Sequence, residues 1–333
     1  MRIVSLLPSV TDIVCSLGAG ESIVGCTPDC DKSQLHAEVL FSEPTRRRAG
    51  SHDAKRVVDS SLPSGQDLYT LDTERLTSVN PDVVLAPASA GNARVSNLEE
   101  ALTQLADVHG VTIERFDPLT VEDVLDDVLR VGQIIGLESQ AEAVVGRLRS
   151  RLFRAQEYVT PFDARAPVVG LLTWVDPLMV AGHWQVQIVE RAGAVHPWNP
   201  TRPAARAGAA AGPQQAQRHA GTPLLVSSDQ FWCHEPDWVL VAPCGVELSR
   251  AQSLAEGLVG QNQFARWARS HPGRLWALDG RRTFNRPGPT IVDDLEWLVS
   301  VIHARPELRP PGYPGVPVLP TEIPPPGLEP GTR

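Results

Sequence analysis

The sequence has few cysteines, little positive charge and no long apolar run, and each absence disfavours a class of protein. Its five cysteines are an odd number without the spacing of a disulfide framework, which favours a reducing compartment. A formal net charge of −9 disfavours a general nucleic-acid binder. No segment approaches the roughly 18 apolar residues that a membrane helix needs. We therefore expect an ordinary globular protein with no nucleic acid among its partners and no insertion into a membrane.

An export signal is also missing from the start of the sequence. Residues 1–20 have no basic segment, apolar segment and small-residue cleavage site in succession. The first strand is expected to begin at residue 2, so removal of a leader would take part of the fold with it. We therefore expect the protein in the cytosol.

Familiar catalytic motifs are absent as well. The chain has no G-x-S-x-G elbow, no P-loop and no H-E-x-x-H pair. The glycines at 18–20 follow a helix and lack the third glycine of a dinucleotide fingerprint. Asp293 and Asp294 are adjacent on one helix and cannot both face one cleft, which leaves Asp176 as a candidate acid. Cys26 and Cys30 lack the second pair of a zinc site. A binding protein is favoured over an enzyme, which stays the alternative.

The first thirty residues indicate a strand, a helix and a second strand. Arg2–Leu7 is an apolar run suited to a buried parallel strand, and Pro8 ends it. Ser9, three residues before Asp12, is the predicted N-cap of the helix. Ile23–Cys26 starts the next strand. Such an opening directs the N-terminus of its helix into a crevice at the strand ends, where ligands of α/β sheets bind.

The same alternation continues along the chain. Apolar runs and helical periodicity predict strands at 83–87, 112–116, 168–175, 179–181, 238–242 and 274–278, and helices at 73–79, 95–109, 120–136, 184–192 and 290–303. A further helix is predicted at 139–159, about 30 Å long, which could join two α/β halves as a rigid strut.

Two segments interrupt this pattern. Residues 197–223 are rich in Ala, Pro, Gly, Gln and Arg without hydrophobic period, which predicts a flexible insertion. Residues 305–333 are rich in proline and predict an extended tail on the surface or in disorder. We expect neither segment to carry chemistry.

Seven blocks of sequence, in order over about residues 1–304, resemble one known family. They are RIVSLLPSVTD (2–12), IVGCTPDCD (23–31), LYTLD (68–72), NPDVVL (80–85), WVDPLMVAGHW (174–184), PDWVLVAPCG (236–245) and FNRPGP (284–289). The family is that of the cobalamin-binding and iron-siderophore-binding proteins, which serve metal-chelate import by ABC transporters. The chain is most similar to its signal-less branch.

The resemblance implies an α/β fold of two open, mainly parallel-sheet lobes joined by one long rigid helix, the class III periplasmic-binding-protein-like architecture. The expected boundaries are an N-terminal lobe at 1–136, an interlobe helix at 137–160, a C-terminal lobe at 161–304 containing the insertion, and the tail. The implied ligand is a metal chelate, cobalamin or a related corrinoid, held between the lobes in a largely preformed cleft.

The resemblance also implies which residues contact the ligand. By position they are Pro8, Ser9, Asp31, Ser89 and Asn92 in the first lobe and Trp174, His183, Trp184, Cys244 and Arg286 in the second. Indoles would supply apolar faces, the imidazole a donor or metal ligand, and the guanidinium a partner for an amide or carboxylate edge. No catalytic residue and no protein-bound metal are expected.

Structural interpretations stand beside these binding roles. Trp174 lies within an apolar strand and could be a core residue. His183 could cap its helix, Cys244 could be a small apolar residue, and Arg286 could form a structural ion pair. Each of these four residues therefore has both a ligand-binding and a structural interpretation.

The chain also departs from the pattern of its relatives. It has Pro28 where a histidine is common, and residues 88–91 replace a Cys-x-Val-Cys motif. Asp229 matches an acidic residue that exported relatives use to dock to a permease, but the first-lobe counterpart near Arg94 is missing. Permease docking is therefore not expected, and a degenerate scaffold that has lost its ligand stays a second alternative.

Overall fold

The computed structural model describes residues 1–31, 35–42, 70–88, 97–159, 165–203 and 218–319. All structural statements below refer to these residues. Parts of the sequence predictions that lie outside them include 204–217 of the insertion, 320–333 of the proline-rich tail and the predicted contacts Ser89 and Asn92.

The first lobe is built on a five-stranded parallel sheet with the order β3-β2-β1-β6-β7. Its elements are β1 (Ile3–Ser5), α1 (Pro8–Ser16), β2 (Ile23–Cys26), β3 (Glu38–Val39), β4 (Phe41–Ser42), β5 (Thr70–Leu71), α2 (Thr73–Ser78), β6 (Val83–Pro87), α3 (Leu98–His109) and β7 (Thr112–Phe116). Every residue of β6 is buried, as expected for a central strand covered on both faces.

Two helices follow the first lobe, α4 (Val121–Ile135) and α5 (Glu138–Gln156). Thr120 and Asp123 form a capping box at the start of α4. The predicted long helix is present as α5, and it is the second member of a helical hairpin. Helix α4 contacts α1 in the first lobe and also the first long helix of the second lobe. The hairpin therefore connects the two halves.

The second lobe is built on a six-stranded mixed sheet with the order β12-β9-β8-β13-β14-β15. Its elements are β8 (Val169–Val175), β9 (Leu178–Val180), α6 (His183–Arg191), β10 (Arg202–Pro203), β11 (Arg218–His219), β12 (Leu224–Leu225), α7 (Ser228–Trp232), β13 (Trp238–Val241), α8 (Leu248–Val259), α9 (Asn262–Ser270), β14 (Leu275–Leu278), α10 (Ile291–Ile302) and β15 (Gly315–Pro317). Strands β8, β13 and β14 are parallel. None of the helices in the described ranges is long and apolar enough to cross a bilayer.

The start of α1 differs from the sequence prediction. Leu7 is the N-cap, Pro8 is the first helical residue, and no side chain caps the helix. Proline suits this position because it has no N–H to leave unsatisfied and its φ is already helical. Ser9 is therefore inside the helix and buried, which corrects its predicted capping role.

Helix α5 is fixed to the second lobe by a cluster of charges. Arg151 contacts Asp293 and both carboxylate oxygens of Glu296, and Arg154 donates to Glu296 at 3.0 Å. Glu296 is almost fully buried. A buried carboxylate needs such partners to offset its desolvation, so α5 and α10 are held in one register.

The proline-rich segment is not a separate tail up to residue 319. Strand β15 pairs antiparallel with β14 at the edge of the second sheet. Tyr313 stacks on Trp297 with 4.8 Å between ring centroids and donates a 2.7 Å hydrogen bond to Asp294. Proline is tolerated in an edge strand because its missing N–H points away from the sheet. This part of the predicted tail therefore belongs to the core of the second lobe.

The ends of the predicted insertion are also ordered. Strands β10 and β11 pair antiparallel. The amide of Asn199 donates to the carbonyls of Ala181, Gly221 and Thr222. The prediction of a flexible segment is therefore wrong for these flanks, whose backbone hydrogen bonds are satisfied by a buried side chain.

We expect Tyr313→Phe to lower the free energy of unfolding by about 1–3 kcal/mol, because it removes a hydrogen bond from a buried acid. Urea unfolding followed by tryptophan fluorescence measures the change. Tyr158→Phe is the matched control, since no described residue bonds the Tyr158 hydroxyl. An equal loss in both variants would contradict a special role for the Tyr313 hydroxyl.

Candidate ligand-binding cleft

The loops that follow the parallel strands of both sheets meet between the lobes. In the first lobe the contacting residues follow β1 and β2, and in the second lobe they belong to the loop that follows β14. Side chains of the loop at 279–290 reach α1 and Asp31 of the first lobe. The meeting point lies at the carboxyl ends of strands, the usual ligand site of open α/β sheets.

Arg286 joins the two lobes on this face. Its Nε lies 2.6 Å from Asp12 Oδ2, and its Nη2 donates to the Pro8 carbonyl at 3.3 Å. The residue is only 8% exposed. Of its two predicted roles, the structure shows the ion pair, and the partner is a residue that the sequence had indicated only as part of a helix cap.

Two further contacts bring the lobes together at the same place. Arg282 lies 3.3 Å from Asp31, with both side chains largely exposed, so this pair contributes little stability. Gly288 lies so close to α1 that a Cβ atom there would be 3.1 Å from the Ser9 carbonyl oxygen. Pro8, Ser9 and Asp31, all predicted as ligand contacts, therefore lie at the interlobe contact.

Trp184 and His183 start helix α6 in the second lobe and are both half-buried. The indole N–H of Trp184 donates to the Phe284 carbonyl at 2.8 Å, which fixes the ring against the loop that carries Arg286. His183 has a φ of 50°, a left-handed conformation that costs energy for a residue with a side chain. The rings lie 5.9 Å apart. The two residues are thus presented together by one constrained helix start.

The imidazole of His183 has an unusual environment. No hydrogen-bond partner for its buried Nδ1 is found in the described part of the chain. Burial lowers the pKa of His183, while Asp117 raises it and His219 lowers it further. Asp117 directly follows β7, so a first-lobe carboxylate lies near a second-lobe imidazole. At neutral pH His183 is uncharged and offers a nitrogen lone pair.

The loop at 279–290 is held by backbone-directed hydrogen bonds. The Asn285 amide donates to the carbonyls of Ala242 and Gly280, and Gln185 donates to the Asn285 carboxamide oxygen. The Phe284 N–H donates to Asp294 at 2.8 Å. Burial raises the pKa of Asp294 to about 8, although its hydrogen bonds from Tyr313 and Phe284 act in the opposite direction. The loop is therefore rigid where it meets the first lobe.

Trp174 and Cys244 lie in different environments. Trp174 is 3% exposed and packs with Met179, Val246 and Ala251. It is a core residue, which corrects the prediction that it offers an apolar face to a ligand. Cys244 is exposed at the end of β13. Its N–H donates to the Thr173 carbonyl.

The remaining predicted contacts, Ser89 and Asn92, lie outside the described residues. The sequence predictions also missed several residues that shape the cleft: Asp12, Gln185, Arg282, Phe284 and Asn285. Asn285 and Phe284 belong to the block FNRPGP that carried the resemblance, so their neighbourhood was indicated but their contacts were not. Nowhere in the described ranges are three His, Cys, Asp or Glu side chains placed to hold a metal ion.

Comparisons with known proteins agree with this architecture. Residues 3–256 match the family model described as "Periplasmic binding protein". The curated Cobalamin-binding protein of Halobacterium salinarum is 23% identical over 308 residues, which cover 91% of this chain and 69% of that protein.

Solved structures are similar in fold. A possible iron-binding periplasmic protein from Staphylococcus epidermidis superimposes with a TM-score of 0.62 at 21% identity, covering 90% of this chain and 98% of that one. A periplasmic heme-binding protein from Pseudomonas aeruginosa gives a TM-score of 0.58 at 21% identity, covering 91% and 93%. At these identities the likeness shows the class III fold with two parallel-sheet lobes.

The Asp12–Arg286 pair predicts how stability depends on pH. Burial raises the pKa of Asp12 from its ordinary 3.8 to about 6, although Arg286 lowers it. The contribution of Asp12 to stability is therefore complete below about pH 4 and is lost as the pH rises through about 6. Between about pH 4 and pH 6, we expect the free energy of unfolding of the wild type to fall by on the order of 2 kcal/mol relative to that of Asp12→Asn.

Urea unfolding of both proteins at a series of pH values measures this difference. The absolute stability of Asp12→Asn also falls because Arg286 loses its partner, so the slope with pH is the test. Asp107→Asn, exposed on α3, is the matched control and should follow the wild type. If the stability of the wild type relative to Asp12→Asn stayed constant or increased as the pH rises, the raised pKa of Asp12 would be contradicted.

Proposed function

Because the chain belongs to the periplasmic binding protein family, we propose that it is a cytosolic binding protein for a corrinoid, or for a similar planar metal chelate, held in the cleft between its lobes. The Halobacterium relative is named for cobalamin, which supports this class of ligand. All five cysteines lie in the described part of the chain and none forms a disulfide, which agrees with a reducing compartment.

The observation that carries the proposal is the pair His183 and Trp184. One half-buried indole and one uncharged imidazole are fixed together beside the interlobe contact by a strained helix start. An aromatic face suits the apolar surface of a macrocycle. A neutral imidazole suits either a hydrogen bond or an open coordination position of the chelated metal. In this proposal the metal is part of the ligand.

The edge of such a ligand would meet Arg282 and Cys244, which are exposed. Arg286 already holds Asp12 and Pro8, so we assign it the positioning of the lobes in place of its predicted ligand contact. A role as an enzyme is not part of the proposal, since the relative and the two structures described above are all named for binding.

Transport partners are a separate matter. Membership of a periplasmic binding protein family is compatible with docking to a permease, so the sequence-based expectation that docking is unlikely receives no support. The partner that the proposal includes is the small-molecule chelate alone.

Titration with cyanocobalamin, followed by visible absorbance and calorimetry, tests the proposal. We expect micromolar or tighter binding, and Trp184→Ala should weaken it about tenfold or more through loss of the aromatic face. Trp184→Phe, which keeps a ring, should weaken it less. Val108→Ala is the control, because Val108 is 68% exposed on α3 and lies away from the residues of the interlobe contact.

Other outcomes separate the alternatives. Tight binding of heme with no binding of cobalamin would keep the chelate class and change the ligand. If the folded protein gave no heat of binding with corrinoids, heme or ferric siderophores, the degenerate scaffold would be favoured. Fractionation of the producing cells tests the location, and recovery of the protein outside the cytosol would contradict that part of the proposal.

A further inference from the structure

Two cysteines meet at the end of β2, and none of the roles above uses them. Cys26 is the last residue of β2, and Cys30 lies four residues later in the loop that leads to Asp31. Both residues are buried. The side chains of Cys26 and Cys30 are joined by a hydrogen bond. Two thiols in contact within one short stretch of chain are candidates for a disulfide.

We propose that Cys26 and Cys30 form a redox-active dithiol site, which a hydroperoxide oxidises to an intramolecular disulfide. In this site Cys30 is the attacking thiol and Cys26 the resolving thiol. The site adjoins the interlobe contact at Asp12 and Asp31, but its chemistry does not depend on whether the chain binds a chelate.

The surroundings of Cys30 favour its thiolate, the form that reacts with peroxides. The Cys30 sulfur lies 3.1 Å from Thr11 Oγ1 and 3.2 Å from Thr27 Oγ1. Hydrogen bonds from Cys26, Thr11 and Thr27 lower the pKa of Cys30 from 9.0 to about 6, against the effect of burial. The thiolate of Cys30 is therefore favoured relative to that of an ordinary thiol.

The charged groups around the pair act in both directions. Asp12 on α1 and Asp31 in the same loop oppose a second negative charge, and the charge of Cys30 in turn raises the pKa of Asp12 and of Cys15. Arg286 approaches from the second lobe through its pair with Asp12. The hydrogen bonds to the sulfur lower the pKa of Cys30 by more than the nearby carboxylates raise it.

Access is suitable for a small oxidant only. Cys30 is 5% exposed, but its chain neighbours Asp29 and Asp31 are exposed. The buried thiol is therefore flanked in the chain by residues that contact solvent. Hydrogen peroxide is small enough to reach it through a local opening of this loop, whereas a bulky disulfide such as oxidised glutathione is not.

The chemistry is balanced with hydrogen peroxide as the oxidant. The Cys30 thiolate attacks one peroxide oxygen, the O–O bond breaks, and the departing hydroxide takes up a proton to give water and a sulfenic acid. The Cys26 thiol then gives up its proton and attacks the Cys30 sulfur. The S–S bond forms, the S–O bond breaks, and the second hydroxide leaves with that proton as water. The two sulfurs lose two electrons, which peroxide accepts.

The test uses the full chain with Cys15→Ser, Cys233→Ser and Cys244→Ser, which leaves only the proposed pair. After treatment with hydrogen peroxide, peptide mass mapping should show residues 26 and 30 linked, with the loss of two hydrogens. The number of free thiols per chain, measured by a thiol assay, should fall from two to none. Adding Cys26→Ala to this protein removes the resolving thiol. Dimedone should then trap a sulfenic acid on Cys30.

The rate of alkylation by iodoacetamide gives an independent measurement. In the three-serine protein, the alkylation rate at Cys30 should reach half its maximum at a pH well below the value of about 8.5 for an ordinary thiol. Thr11→Val removes one hydrogen bond to the sulfur and should move this midpoint upward. Circular dichroism checks that each variant is folded.

Retention of both thiols by the folded three-serine protein under excess peroxide would overturn the proposal. Linkage that appears only in denaturant would overturn it as well, because the pairing would then belong to the unfolded chain. An alkylation midpoint for Cys30 at that of an ordinary thiol would overturn its role as the attacking residue.

Discussion

The buried guanidinium of Arg286 is the constraint on which the cleft depends. A charged group that is taken out of water must find partners, and breaking such a pair costs several kcal/mol. The partners of Arg286, Asp12 and the Pro8 carbonyl, come from the other lobe. The two lobes are therefore joined at the strand ends as well as through the α4–α5 hairpin. A space between them that is held at two places has a nearly fixed width.

The same loop connects the cleft to the C-terminal part of the chain. Tyr313 holds Asp294, Asp294 holds the Phe284 N–H, and the Phe284 carbonyl receives the Trp184 indole. Each bond is buried or partly buried, where hydrogen bonds are strong and expensive to leave unmade. The proline-rich segment thus acts on the position of the aromatic face through three successive hydrogen bonds, although it does not reach the cleft itself.

Local patterns in the sequence predicted the elements well, because their causes are local. The capping box at Thr120 and the apolar periodicity of α10 depend on neighbours within a few residues. The fold of two parallel-sheet lobes followed from the resemblance. The errors concern distant contacts. Trp174 is buried by residues of a later helix and loop, and Tyr313 of the predicted tail is held in the core by its hydrogen bond to Asp294. The pairing of Arg286 with Asp12 had no signal in the sequence.

The energies of these interactions also bear on which kind of ligand the cleft would favour. A carboxylate-rich ligand that recruited Arg286 would have to separate it from Asp12, and separating a buried pair costs about 3–5 kcal/mol. Contact with the Trp184 ring gains about 0.5–1.5 kcal/mol beyond the area it buries, and it leaves the lobe contact intact. A ligand with a broad apolar face and a neutral, amide-bearing edge avoids the larger cost. Within the proposed function, this comparison favours a ligand that leaves the Asp12–Arg286 pair intact.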